Sequence, residues 1–173
     1  ALSTVRRALG GAGTQTAGLG FSGYVTGAVV TTEEYNGNGW ATGGNMGTGR
    51  YFIGGAGTQT AGLGFGGYAV PVGNRNETEE YDGSTWSPGG NMGTARRAFA
   101  SGGTQTAAFG AGGFTTTIVS STEEYGGTSW TAGGALNTAR WLSAGAGTLT
   151  AGLAFGGNSG SATSVAETYN GTA

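Results

Sequence analysis

Arg6, Arg50, Arg96 and Arg140 recur along this chain at intervals of 44 to 46 residues, and other residues keep the same beat. Tyr35 returns as Tyr81, Tyr125 and Tyr169; Trp40 returns as Trp86 and Trp130; the run Thr14-Gln15-Thr16 is answered at Thr58, Thr104 and Thr148. Self-similarity of this period defines units too small to enclose a core alone, so each must bury its apolar side against a neighbour. The register divides the chain into repeats of about 1–45, 46–91, 92–135 and 136–173, forming a single domain. The fourth repeat reaches Ala173 before a Trp position, so its unit is expected to lack an outermost strand.

Within each repeat the apolar period is two, the signature of a strand. Ala17, Leu19 and Phe21 alternate with Thr16, Gly18 and Gly20, and Ala61, Leu63 and Phe65 alternate with Thr60, Gly62 and Gly64. Ala107, Phe109 and Ala111 continue the pattern, as do Ala151, Leu153 and Phe155. One side of such a strand is bulky and the other nearly bare, so the bulky side of one sheet can lie on the bare side of the next. Asn36-Gly37, Asp82-Gly83, Gly126-Gly127 and Asn170-Gly171 tolerate positive φ and predict tight two-residue hairpins. The second repeat then reads as four strands near Arg50–Ala56, Gln59–Tyr68, Thr78–Tyr81 and Trp86–Gly89.

Composition narrows the chemistry. Gly supplies 41 of 173 residues, which disfavours helix by about 1 kcal/mol at each position. The net charge is only −2, so the glycine is not explained by charge-driven disorder. All basic residues are Arg, and Lys, His and Cys are absent. Disulfides, thiolate or imidazole metal ligands, Cys nucleophiles and His bases are excluded on that ground. A sequence pI near 5 and the lack of a basic tract remove the electrostatic term of nucleic-acid binding. No apolar run approaches the ~20 residues of a membrane-spanning helix.

A Gly doublet after an apolar strand (Gly66-Gly67, Gly112-Gly113, Gly156-Gly157), then Glu-Glu-Tyr, a Trp five residues on, and Met or Leu and Arg, resembles the kelch repeat, the fourth copy carrying only the first part of it. The second copy carries it best, with Phe65-Gly66-Gly67, Glu79-Glu80-Tyr81-Asp82-Gly83, Trp86, Asn91-Met92 and Arg96. Ser22-Gly23 and Thr168 depart from it. The wording Thr-Gln-Thr-Ala and Asn-Met-Gly-Thr-Ala-Arg is similar to kelch-like proteins predicted in marine phages and environmental sequences. The resemblance implies an all-β fold, a β-propeller with one blade of four short antiparallel strands per repeat and an incomplete last blade. Four blades in one ring, a half-ring completed by a second copy, and a window from a longer propeller all fit it.

Adjacent Glu33 and Glu34, like Glu79/Glu80 and Glu123/Glu124, point to opposite faces of a strand and cannot act together as acid and base. One Glu per repeat (Glu33, Glu79, Glu123, Glu167) matches one Arg per repeat (Arg6, Arg50, Arg96, Arg140), which predicts structural ion pairs. Gly18, Gly20 and Gly23 mimic a dinucleotide-binding pattern, as do Gly62, Gly64 and Gly67, but no helix follows to receive a pyrophosphate. The constancy of Trp40, Trp86 and Trp130 points to packing between blades. No catalytic group, cofactor or metal is expected.

Positions that differ between copies are more telling. The residue after each register Arg is Arg7, Tyr51, Arg97 or Trp141; the residue after each Gly pair is Tyr24, Tyr68, Phe114 or Asn158. In an antiparallel blade these eight lie at one end, crowned by segments 25–30, 69–76, 115–120 and 159–164. Loops on a rigid scaffold carry recognition, and aromatic plus Arg side chains suit a polar ligand with a flat face. The expectation is a non-enzymatic, lectin-like binding or adhesion module for a glycan or protein, extracellular or borne on a phage virion. The alternative is a structural unit that assembles with identical copies into an oligomer, larger ring or particle, without nucleic acid or membrane insertion.

Overall fold

The computed structural model describes residues 1–171; the last two positions of the fourth repeat lie outside the described residues. Four antiparallel sheets follow one another as the blades of a β-propeller. The first comprises β1 (Gly10–Gly13), β2 (Gly18–Phe21), β3 (Thr32–Tyr35) and β4 (Trp40–Thr42). The second contains β5 (Gly54–Gly57) and β6 (Gly62–Phe65), then a separate hairpin of β7 (Tyr68–Ala69) and β8 (Gly73–Asn74), then β9 (Thr78–Tyr81) and β10 (Trp86–Pro88). The third is β11 (Ala100–Thr104), β12 (Ala107–Ala111), β13 (Thr122–Tyr125) and β14 (Trp130–Gly133). The fourth has three strands among the described residues, β15 (Ala144–Thr148), β16 (Ala151–Phe155) and β17 (Ala166–Tyr169). The inner strands β1, β5, β11 and β15 abut in that order, whereas β15 does not pack on β1 in the same way.

Size complementarity between successive blades builds the core. A methyl placed on Gly62 would lie 2.6 Å from Leu19, and one on Gly64 would lie 2.9 Å from the Phe21 ring, so the bare side of β6 is bare because β2 already occupies it. The Phe65 ring sits over Gly110 in the same way, and Phe109 over Gly152. Where the third repeat moves its large side chain from position 111 to 109, Ala154 rather than Gly stands in the cluster with Ala111. Phe21, Phe65 and Phe109 are all fully buried, each contributing roughly 1.5–3 kcal/mol.

Two details of the strands differ from the expectation. The first strand of the second blade starts at Gly54 rather than Arg50, because Phe52 adopts φ of 54° and breaks the extended backbone; Ala8, Ala98 and Leu142 do the same in their repeats. The second strand is Gly62–Phe65 instead of Gln59–Tyr68, because Thr58 to Ala61 form the turn and Gly66 and Gly67 both take positive φ. The turns after the Tyr strands are also not two-residue hairpins. Four residues, such as 36–39, join the strands; only the glycine, Gly37 or Gly83, has positive φ, while Asn36 Oδ1 accepts the amides of Asn38 and Gly39.

The tryptophans and tyrosines bind blade to blade. Trp86 packs edge-on against Phe21 at 4.9 Å and donates its indole N–H to Thr32 Oγ1 at 2.9 Å; Trp130 repeats this with Phe65 at 4.7 Å and Thr78 Oγ1 at 2.9 Å. Trp40, with no such partner among the described residues, leans over Gly18 and Gly20 of its own blade. The second Glu of each pair accepts from the next blade's tyrosine: Glu34 from Tyr81, Glu80 from Tyr125 and Glu124 from Tyr169. Gln59 and Gln105 reach back to carbonyls of the preceding blade, Gly18 and Tyr35 for the former, Gly62 and Tyr81 for the latter.

Candidate functional site

Three consecutive residues in each repeat do three different things. The first is the register Arg, whose side chain is essentially shut off from solvent in all four copies. Arg96 donates to the carbonyls of Gly112 (3.0 Å) and Ser121 (2.6 Å) and to Glu123 Oε1 (2.9 Å), so it fastens the segment between the second and third strands to its own blade. Arg6 and Glu33 approach to 3.1 Å, Arg50 and Glu79 to 3.1 Å, and Arg140 pairs with Glu167. Burial pulls the Arg6, Arg50 and Arg96 pKa values below the ordinary arginine range, and the facing carboxylates counter it.

The second residue forms an isolated antiparallel bridge with the residue after the Gly pair: Arg7 with Tyr24, Tyr51 with Tyr68, Arg97 with Phe114 and Trp141 with Asn158. All eight sequence-selected positions are therefore brought together in pairs. The third residue is the one with positive φ. Its amide donates to the carbonyl of its counterpart one blade back: Phe52 to Ala8 at 2.8 Å, Ala98 to Phe52 at 2.9 Å and Leu142 to Ala98 at 2.7 Å. The second residue of Ser22-Gly23, Gly66-Gly67 and Gly112-Gly113 adds another tie, with Gly23, Gly67 and Gly113 donating to the carbonyls of Arg50, Arg96 and Arg140. These bonds fix the interval between successive bridge pairs.

At that interval the side chains form a continuous file. The Arg7 guanidinium lies 5.0 Å from the Tyr24 ring centre, Tyr24 meets Tyr51 edge-on at 5.0 Å, and Tyr51 meets Tyr68 at 5.4 Å. Arg97 is held between Tyr68 and Phe114, 4.6 Å from each ring centre, and Phe114 meets Trp141 at 5.4 Å. Cation–π and ring contacts of this kind are worth about 0.5–1.5 kcal/mol each. The surrounding loops are short: Tyr24, Phe114 and Asn158 bridge to Ala28, Ile118 and Ala162, while the second repeat carries the longer β7–β8 hairpin.

The two arginines of the file are not equivalent. Arg97 donates to Asn74 Oδ1 at 2.6 Å, and Asn74 in turn holds the carbonyls of Phe114 and Thr115, so its guanidinium is engaged within the protein. Asn74 was not singled out from the sequence; the greater length of segment 69–76 in the second repeat is the feature that marks it. Arg7 is exposed and has no carboxylate or hydrogen-bond acceptor for its side chain among the described residues. It opens on one side to a cleft of about 350 Å³ with Ala8, Tyr24, Tyr51 and Phe52, and on the other to one of about 310 Å³ with Val5 and Val25.

Compared with models of known protein families the chain matches none, and a search of curated proteins finds no significant relative.

Proposed function

We propose that the chain is a kelch-type propeller serving as a non-enzymatic binding module, displayed on a cell or virion surface, that recognises a glycan or protein through the file of bridge-pair side chains. The observation that carries this reading is Arg7: a solvent-exposed guanidinium without an internal anion, stacked on Tyr24 beside a cleft walled by Tyr51 and Phe52. Such a group offers hydrogen bonds to hydroxyl or carboxylate oxygens while the rings offer a flat apolar surface, the combination a sugar ring or an interface side chain requires. Arg97 belongs to the same file as a spacer that holds Tyr68 and Phe114 apart.

Screening the protein on a glycan array tests it. Reproducible binding that is lost in Arg7→Ala and Tyr51→Ala at unchanged melting temperature supports recognition; uniform absence of binding, or binding indifferent to both substitutions, overturns it.

Self-assembly through the blade ends has one observation in its favour. Phe155 occupies the position of the fully buried Phe21 and Phe65 yet is 39% exposed. Against it, the fourth blade has Ala166 where Thr32 and Thr78 accept the next blade's indole, and Thr168 where Glu34 and Glu80 accept the next blade's tyrosine. Light scattering across a concentration series separates the two readings.

A further inference from the structure

The structure assigns a second binding site to this chain, a cleft for one neutral sugar ring in the groove between the first and second blades. The cleft measures about 320 Å³ and is walled by Trp86 and Pro88 of β10, by Thr48 of the link between the blades, by Asn91, and by Glu77 just before β9. That volume sits at the small end of ligand pockets, roughly 300–1,000 Å³, and suits a single ring. Both blades beside it have all four strands.

The second repeat gives up internal bonds to build this cleft. At the position of Glu77 the first and third repeats carry Thr31 and Ser121, whose carbonyls and hydroxyls both accept from the register arginines Arg6 and Arg96. Glu77 does neither for Arg50. Its carboxylate accepts the Nε–H and an Nη–H of Arg75 instead, and Arg75 stands where the neighbouring repeats have Val29 and Val119. The Arg50 guanidinium is left with the Gly64 carbonyl and Glu79, and its Nε is buried without a hydrogen-bond partner among the described residues. Pro88 likewise replaces Thr42 and Ala132 of the other blades. A structural rule kept in the neighbouring copies and broken in one marks a place with a task besides folding.

The walls select the ligand. Each Glu77 oxygen keeps a further lone pair beyond its bond to Arg75, and neither Thr48 Oγ1 nor the Asn91 side-chain amide makes a hydrogen bond among the described residues. One cleft thus offers a charged acceptor, a hydroxyl and an amide beside the apolar surface of Trp86 and Pro88. A pyranose matches it, with hydroxyls around its rim and C–H groups on its faces. Both carboxylates of the cleft already face a guanidinium, Glu77 that of Arg75 and Glu79 that of Arg50, so the site has no unpaired charge to favour an ionic ligand. The cleft shares no residue with the Arg7 file and does not depend on the function proposed for that file.

The methyl glycosides of glucose, galactose, mannose and N-acetylglucosamine are the probes, each titrated into the intact protein and followed by amide NMR. Saturable millimolar binding of at least one is expected, with shifts centred on Gly47, Thr48 and Asn91. Asn91→Ala and Thr48→Val remove no internal hydrogen bond, so each should fold normally and weaken binding by about three- to tenfold at unchanged melting temperature. Methyl glucuronide and butylammonium, an anion and a cation of similar reach, should bind more weakly than the neutral sugar. No saturation with any of the four glycosides, shifts confined to the bridge-pair residues, or affinity indifferent to both substitutions overturns the site. Tighter binding of either ion at the same resonances overturns the assignment of a neutral ligand.

Discussion

The Tyr125 hydroxyl donates to Glu80 Oε1 at 2.5 Å across the boundary between the third and second blades, and the same bond joins Tyr81 to Glu34 and Tyr169 to Glu124. Burial, reinforced by the carboxylate acceptor, holds these phenols in the neutral form: Tyr81 and Tyr125 are pushed up to about 12 and Tyr169 is raised as well. A group whose pKa is higher folded than unfolded stabilises the fold below its ordinary value, here 10.0, and loses that contribution as pH climbs toward 12. Circular dichroism should show unfolding over that alkaline window. Tyr125→Phe should cost about 1.5–3 kcal/mol at neutral pH in urea titrations, since it strips a charged acceptor of its donor, and should shrink the alkaline loss.

A second prediction concerns the bare faces. A methyl at Gly64 would stand 2.9 Å from the Phe21 ring and 3.0 Å from Met46. Gly64→Ala should therefore destabilise by about 1–3 kcal/mol through overpacking, despite removing a flexible glycine from a strand. Phe21→Leu in the same chain should recover part of that loss, giving a favourable coupling energy in a double-mutant cycle. Additive losses would mean that the two blades do not share this contact.

What the sequence disclosed and what it withheld divide along physical lines. The alternation of Leu19 and Phe21 with Gly18 and Gly20 is written in period two and reaches directly to the stacked blades. The repeat register also locates the eight bridge-pair positions without knowledge of a single contact. Positive φ at Ala8, Phe52, Ala98 and Leu142 leaves no mark on composition, because none of these is Gly, Asn or Asp; the conformation is held by the interblade amide bonds rather than by local preference. For the same reason the first strands start later than periodicity suggests. The role of Asn74 was hidden too, since a hydrogen bond to Arg97 across 23 residues has no local sequence signal.

Acid should weaken the fold through two of the repeat carboxylates. Burial alone would raise Glu33, but the Ser3 amide at 2.7 Å, with Arg6, holds it below its ordinary 4.5; Glu167 is held down likewise by Asn137, Arg140 and Thr138 against its own burial. Carboxylates depressed in the folded state contribute stability above their ordinary value and lose it as pH falls through the lowered one. Denaturant midpoints should thus stay level from neutrality to about pH 5 and decline below 4.5. Glu33→Gln should lower stability at neutral pH and flatten that acid slope, whereas an unchanged slope would mean Glu33 titrates alike in both states.

The sharpest test of the repeat's architecture is Arg96. Its guanidinium is closed off from solvent and satisfies two carbonyls, a hydroxyl and Glu123 at once, while Glu123 also accepts the amides of Gly93 and Thr94 from the link between blades. Arg96→Met keeps much of the volume and removes every donor, so it leaves a carboxylate and the Gly112 and Ser121 carbonyls without their partner; the expected cost is about 3–5 kcal/mol. Adding Glu123→Leu removes the stranded charge but exposes the Gly93 and Thr94 amides to the loss of their acceptor. The double variant should therefore be more stable than the sum of the single losses, yet short of the wild type. Because the same arginine anchors the segment leading from Phe114 to Ser121, Arg96→Met should also loosen the Arg97 sandwich, seen as faster hydrogen exchange at the Phe114 amide. Unchanged exchange there in a folded Arg96→Met protein would show that the bridge pairs are held by the interblade amide bonds alone.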